Sequence, residues 1–201
     1  MFRSMIMARA RARLLVPVAL SYGLVATMMF GWPGLVPRVA DRCGGLSPLD
    51  VRGRWTAPDA RDLVRACGVT GRTAYVNLQL LDLAYPAFSC AALLLATGLL
   101  LRRYGGRGWG LLLPALAMTV FDYAENASVW TLLLQWPHVN PAVAAAGGTI
   151  TTLKRITGFA AFTIPILLGL VDAVHRGRSW YLRRRGHPAG ADTGGLSVAD
   201  R

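Results

Sequence analysis

Charge is what this sequence is short of. Asp, Glu, Lys and Arg make up 16% of its 201 residues, where a soluble domain carries about 25%. The shortage is uneven. Lys154 is the single lysine, there are ten acids, and the net charge of +12 is otherwise arginine. Histidine is scarce too, with His138, His175 and His187 far apart. Cysteine occurs at 43, 67 and 90 alone. These absences exclude a good deal. There is no Gly-x-Ser-x-Gly, no His-Glu-x-x-His and no histidine-rich box, so none of the common nucleophile or metal motifs is present. No metal site and no cofactor are expected, because only Cys90 adds a soft ligand within the apolar runs. No internal repeat is visible. The arginines flank apolar runs, where they act as topology signals and headgroup anchors. Nucleic acid is therefore not an expected partner, despite the basic balance.

What is present is apolar sequence: 54% hydrophobic residues and a mean hydropathy of +0.40. The expected fold class is all-α, an integral membrane four-helix bundle with a long extracytoplasmic first loop. Residues 1–13 form a basic N-terminus. Residues 14–174 form the membrane domain, with spans at about 14–36, 73–101, 109–136 and 142–174. Residues 175–201 form a tail, basic at first and then Gly/Ala/Ser/Asp-rich, which predicts disorder. The first span has no convincing small-x-small cleavage site and reads as uncleaved. Twelve arginines fall in the N-terminus, the 102–107 turn and the tail before residue 200, against seven in the 37–72 loop. Long loops count less in the positive-inside rule, so a cell-membrane protein with both termini in the cytoplasm is expected.

Within the loop, Thr56 reads as an N-cap, Pro58 as a first-turn residue and Gly68 as a stop. They bound a short amphipathic helix. Cys43 and Cys67 lie in the same loop. They would pair in an oxidising compartment and stay free thiols otherwise. In the second span, Pro86 frees the Asp82 carbonyl and predicts a bend there. In the fourth, Gly147-Gly148 reads as a close-packing or gating element.

The third span carries Phe121-Asp122-Tyr123-Ala124-Glu125-Asn126-Ala127. Asp122, Glu125 and Asn126 stand at i, i+3 and i+4 and share one helical face. A charged group in hydrocarbon costs at least about 2.5–3.5 kcal/mol, so it persists mainly when paired, buried in protein or functional. At 1.5 Å per residue, Asp82 lies roughly 13 Å down its span, Glu125 roughly 16 Å, Asp122 roughly 21 Å and Lys154 roughly 18 Å. One layer thus holds Asp82, Asp122 and Glu125 against Lys154 and Arg155.

Asp-x-x-x-Pro (Asp82, Pro86), Leu-Pro followed by Asp-x-x-Glu-Asn (Pro114, Asp122, Glu125, Asn126) and Thr-x-x-Lys (Thr151, Lys154) resemble a group of small bacterial four-span membrane proteins. The resemblance covers about residues 75–168. It implies the topology and the polar set, and no substrate. Arg155 stands where it would put an aromatic residue.

Three readings follow for Asp82, Asp122, Glu125, Asn126 and Lys154. The first is an intramembrane acid–base site acting on a lipid-soluble small molecule, a lipid or isoprenoid. The second is a structural network in a membrane subunit. The third is a proton-coupled transporter, which at this size would need to form an oligomer. Membrane lipids are the expected surroundings in every case.

Overall fold

The computed structural model describes residues 2–102 and 108–185. The basic turn at 103–107 and the tail from residue 186, expected to be disordered, lie outside the described residues. All regular structure among the described residues is helical. Helix α1 spans Phe2–Phe30, α2 Leu35–Arg42, α3 Ala57–Asp82, α4 Tyr85–Leu101, α5 Leu113–Leu134 and α6 Pro141–Arg185. Single 3-10 turns lie at Leu49–Val51 and Trp109–Leu112. Three stretches are long and apolar enough to cross a membrane: Arg13–Arg42, Ala57–Leu101 and Pro141–Leu182. Helix α5 is not among them. It is long enough, but Asp122, Glu125 and Asn126 at its middle pull its hydropathy down.

Helix α3 starts on a capping box. The Thr56 N–H donates to Asp59 Oδ2 at 2.7 Å, and the Thr56 side chain accepts from the Asp59 N–H. This pairing satisfies two end donors that would otherwise lack partners. Where the residues predict a stop at Gly68, the helix breaks and resumes in place. Gly68 takes a φ of 55°, which a side chain would disfavour. A disulfide joins Cys43, just after α2, to Cys67, just before this break. The second expected span is likewise divided, at Leu83–Ala84, and Pro86 sits in the first turn of α4.

Helix α5 packs mainly on α6, α6 also lies on α4, and α1 lies on α4. The seam of α6 is built of small residues: Ala144, Gly147, Gly148, Thr151, Gly158 and Ala161 are all buried. Small side chains allow close approach where apolar lipid supplies no hydrophobic drive. Tyr22 and Tyr85 hydroxyls, 3.0 Å apart, tie α1 to α4.

The two ends of the bundle differ. At the loop end a continuous core joins Val39, Leu49, Trp55, Leu63, Tyr75, Leu78, Val129 and Leu132. At the opposite end the buried cluster shrinks to Leu93, Ala115, Met118 and Ala161. The loop folds back into the bundle and packs it as a soluble protein is packed.

Candidate functional site

Helix α5 buries Ala115, Met118, Asp122, Glu125, Asn126, Val129, Leu132 and Leu133. That is a stripe at three- and four-residue spacing, the face one helix turns toward its neighbours. The polar trio lies on this stripe. Glu125 is 0% exposed and Asn126 1%.

Lys154 reaches this face from α6. Its Nζ lies 3.3 Å from Asp122 Oδ1 and forms a second ion pair with Glu125 Oε2. It also donates to the backbone carbonyl of Asp50 at 3.3 Å. An ammonium has three donors, and three acceptors meet it. Glu125 Oε1 accepts from the Thr151 hydroxyl, and that hydroxyl accepts from the Trp55 indole N–H at 2.8 Å. The Gly147 carbonyl, at 3.0 Å, competes for the Thr151 proton.

Asn126 has a different task. Its amide nitrogen lies 3.4 Å from the Asp82 carbonyl, the group that Pro86 leaves without its helical donor. The next carbonyl, Leu83, accepts from the Tyr123 hydroxyl at 3.0 Å. The Asp-x-x-Glu-Asn stretch therefore caps the broken helix beside it. The Asp82 side chain, 4% exposed, lies against Asn126.

The structure thus brings Asp122, Glu125 and Lys154 into one ion-pair cluster and puts Asp82 and Asn126 at its edge. It also adds residues that helical spacing does not reveal. Asp50, from the 3-10 turn in the loop, accepts from the Tyr75 hydroxyl at 2.9 Å and from the Gln79 amide at 3.0 Å. Burial pushes its carboxyl above the usual carboxylate range, and the Lys154 charge opposes that rise. Trp55, 2% exposed, closes the loop side. The one signal for these residues is compositional: Leu46, Leu49, Val51 and Trp55 are apolar in a loop otherwise rich in arginine. Gly147-Gly148 also takes on a new role. A Cβ at Gly147 would meet the Trp55 ring, and one at Gly148 would meet the Trp55 carbonyl. The pair seats Trp55.

One side of the cluster is open. A cavity of about 280 Å³ lies between α1 and α6, over α4 and α5. Asp50, Asp122 and Lys154 form its polar wall with Arg155; Phe30, Val51, Tyr85, Ser89, Met118 and Phe162 complete it. Glu125, Asn126 and Asp82 do not line it. A larger groove of about 510 Å³, beside Arg54, Trp55 and Thr149, touches none of the carboxylates. No protein-family model, curated protein or solved structure matches this chain. The chemistry must be read from the geometry. Lys154 fills the position between carboxylates that a metal ion would need, and no His/Cys/Asp/Glu group fit to hold a metal occurs among the described residues. A carboxylate and an ammonium 3.3 Å apart on a cavity wall have the parts for proton transfer to and from a bound molecule.

Proposed function

We propose that this chain is a four-span membrane protein with cytoplasmic termini that performs acid–base chemistry on a lipid-soluble molecule. Asp122 accepts a proton and Lys154 supplies one. The observation that carries this reading is the cavity: it meets the cluster at those two residues and at Asp50, and it lies between two helices with apolar outer faces. Such a mouth admits a molecule from the bilayer. Isomerisation, cyclisation or hydrolysis of a lipid or isoprenoid all fit one acid and one base. The test is lipid profiling of a deletion strain complemented with wild type or with Asp122→Asn. A precursor should accumulate with Asp122→Asn while protein abundance is unchanged. Full complementation by Asp122→Asn, or a lipid change that merely tracks lost protein, refutes the reading.

A purely structural network is the second reading, and Glu125 and Asn126 favour it. Both are sealed from the cavity, and Asn126 serves as a helix cap. The two readings divide the cluster between them, which makes Asp122 rather than Glu125 the position to test. For the transport reading, Gly147-Gly148 is taken up in seating Trp55, which leaves the helix break before Pro86 as its hinge.

A further inference from the structure

Arg155 has no part in the chemistry proposed above, and it is expensively placed. It is the fifteenth residue of α6, roughly 21 Å from the helix start. A cation at that depth needs a counter-charge or a route to water. Lys154, its neighbour, has Asp122 and Glu125. No carboxylate lies in ion-pair reach of Arg155 among the described residues. Asp50 is the other acid on the cavity wall, and its carboxylate is engaged by Tyr75 and Gln79. The Arg155 guanidinium rests on Gly53, where an added Cβ would collide with Nη1. It is therefore an exposed cation, with no acid partner among the described residues, on the wall of a cavity.

The cavity's size limits what can enter. At about 30 Å³ per water in the liquid, 280 Å³ holds a polar end and a few carbons. A whole lipid does not fit. Its mouth, however, is apolar: Phe30 from α1 and Phe162 from α6 are both partly exposed. Phe30 packs edge-on against Tyr85, with ring centroids 5.8 Å apart, which fixes the α1 side. Polar wall, exposed guanidinium and apolar mouth lie along one path.

We propose that the cavity takes the polar end of an anionic amphiphile, a lipid bearing a carboxylate or a phosphate. Arg155 is its recognition point, and the chain leaves between Phe30 and Phe162. A guanidinium suits either anion, because its paired N–H groups match two oxygens at once. Bound there, the anion would place the atoms next to its head beside Asp122 and Lys154. The inference rests on the acid–base reading for what happens next, but binding can be measured without turnover.

The experiment titrates purified full-length protein in maltoside micelles, read by thermal shift. The probes are oleate, 1-oleoyl lysophosphatidate, oleyl alcohol, acetate and inorganic phosphate. The two acidic amphiphiles should bind at least about tenfold tighter than the alcohol, the scale of one charge-assisted pair. Acetate and phosphate alone should not displace them. Arg155→Gln should erase the preference for acid over alcohol, and Arg155→Lys should keep part of it. Equal binding of oleyl alcohol overturns the proposal. So does displacement by acetate or phosphate alone, and so does a preference intact in Arg155→Gln. Phe162→Trp gives an independent reading if Arg155→Gln does not fold. Stearate brominated at mid-chain should quench the added tryptophan, and no added quenching overturns the path. An acidic lipid that binds and is never converted refutes the acid–base reading alone. Conversion of a neutral lipid without preference for acids refutes this inference alone.

Discussion

Asp122 and Glu125 lie one helical turn apart on α5 and share Lys154, yet their surroundings are opposite. Glu125 is sealed. Thr151 holds one oxygen, Lys154 the other, and Trp55 closes the stack behind Thr151. Asp122 meets the same ammonium with a cavity beside it. Residue type and sequence spacing do not separate the two; what folds over them does. The loop supplies the lid on the Glu125 side with Trp55. On the Asp122 side Asp50 and Val51 of the same loop line the cavity wall without filling the space, and Gly53 rests against Arg155. A charge sealed in protein fixes helix register, while a charge with a free approach can react.

Lys154→Met should do the most damage, because it strands two acids at once. Breaking a buried pair by removing one partner costs about 3–5 kcal/mol. Unfolding in micelles should register that loss, and adding Glu125→Gln should recover part of it. A double variant no better than the single would remove Glu125 from the partnership and break the comparison.

Removing the disulfide with Cys43→Ser and Cys67→Ser tests the lid. A loop of this length gains about 3–4 kcal/mol from closure in the chain-entropy model. The variant should unfold earlier and expose Trp55 to aqueous quenchers before the rest of the bundle opens. Simultaneous exposure of every tryptophan would show that the lid is not a separate unit.

The division itself is tested by two conservative changes. Glu125→Gln should cost about 1–3 kcal/mol, since it disturbs a bond set that water cannot replace. Asp122→Asn should cost less than half as much in stability and abolish lipid conversion. The reverse order, measured on both variants, would end the distinction between sealed and open sides.

The smallest effect concerns the start of α3. The Thr56 hydroxyl holds the Asp59 carboxyl below its usual value of 3.8. A depressed acid stabilises the fold above the unfolded pKa, and that contribution is lost as pH falls through the lower folded value. The lid should therefore loosen below about pH 4, the usual range of Asp. Asp59→Asn should remove that slope in a fluorescence titration of Trp55. A slope unchanged in Asp59→Asn would place the titrating group elsewhere.

Much of the fold and of the cluster is legible in the amino-acid sequence. The start of α3 is legible in Thr56 and Pro58 and its break in Gly68, because caps and breakers act through their own backbone. Pro86 points to the Asp82 carbonyl for the same local reason. The meeting of Glu125, Asp122 and Lys154 is legible because helical rise is constant, so position can be counted along each helix. Asp50 and Trp55 are not legible as members of the cluster. A loop has no period, and nothing within residues 37–72 states how far it folds back.

The sequence by itself determined that the chain is helical and strongly apolar, and which side chains on each helix share a face. These follow from period, propensity and local stops, which are properties of neighbouring residues. The tertiary structure alone decided which acid is covered and which is reachable. It also decided that Gly147-Gly148 receives Trp55 and that Asn126 caps a carbonyl on another helix. Those outcomes depend on contacts between residues far apart in the chain, such as Trp55 with Thr151 and Asp50 with Lys154. Such contacts are selected by the packing of the whole bundle.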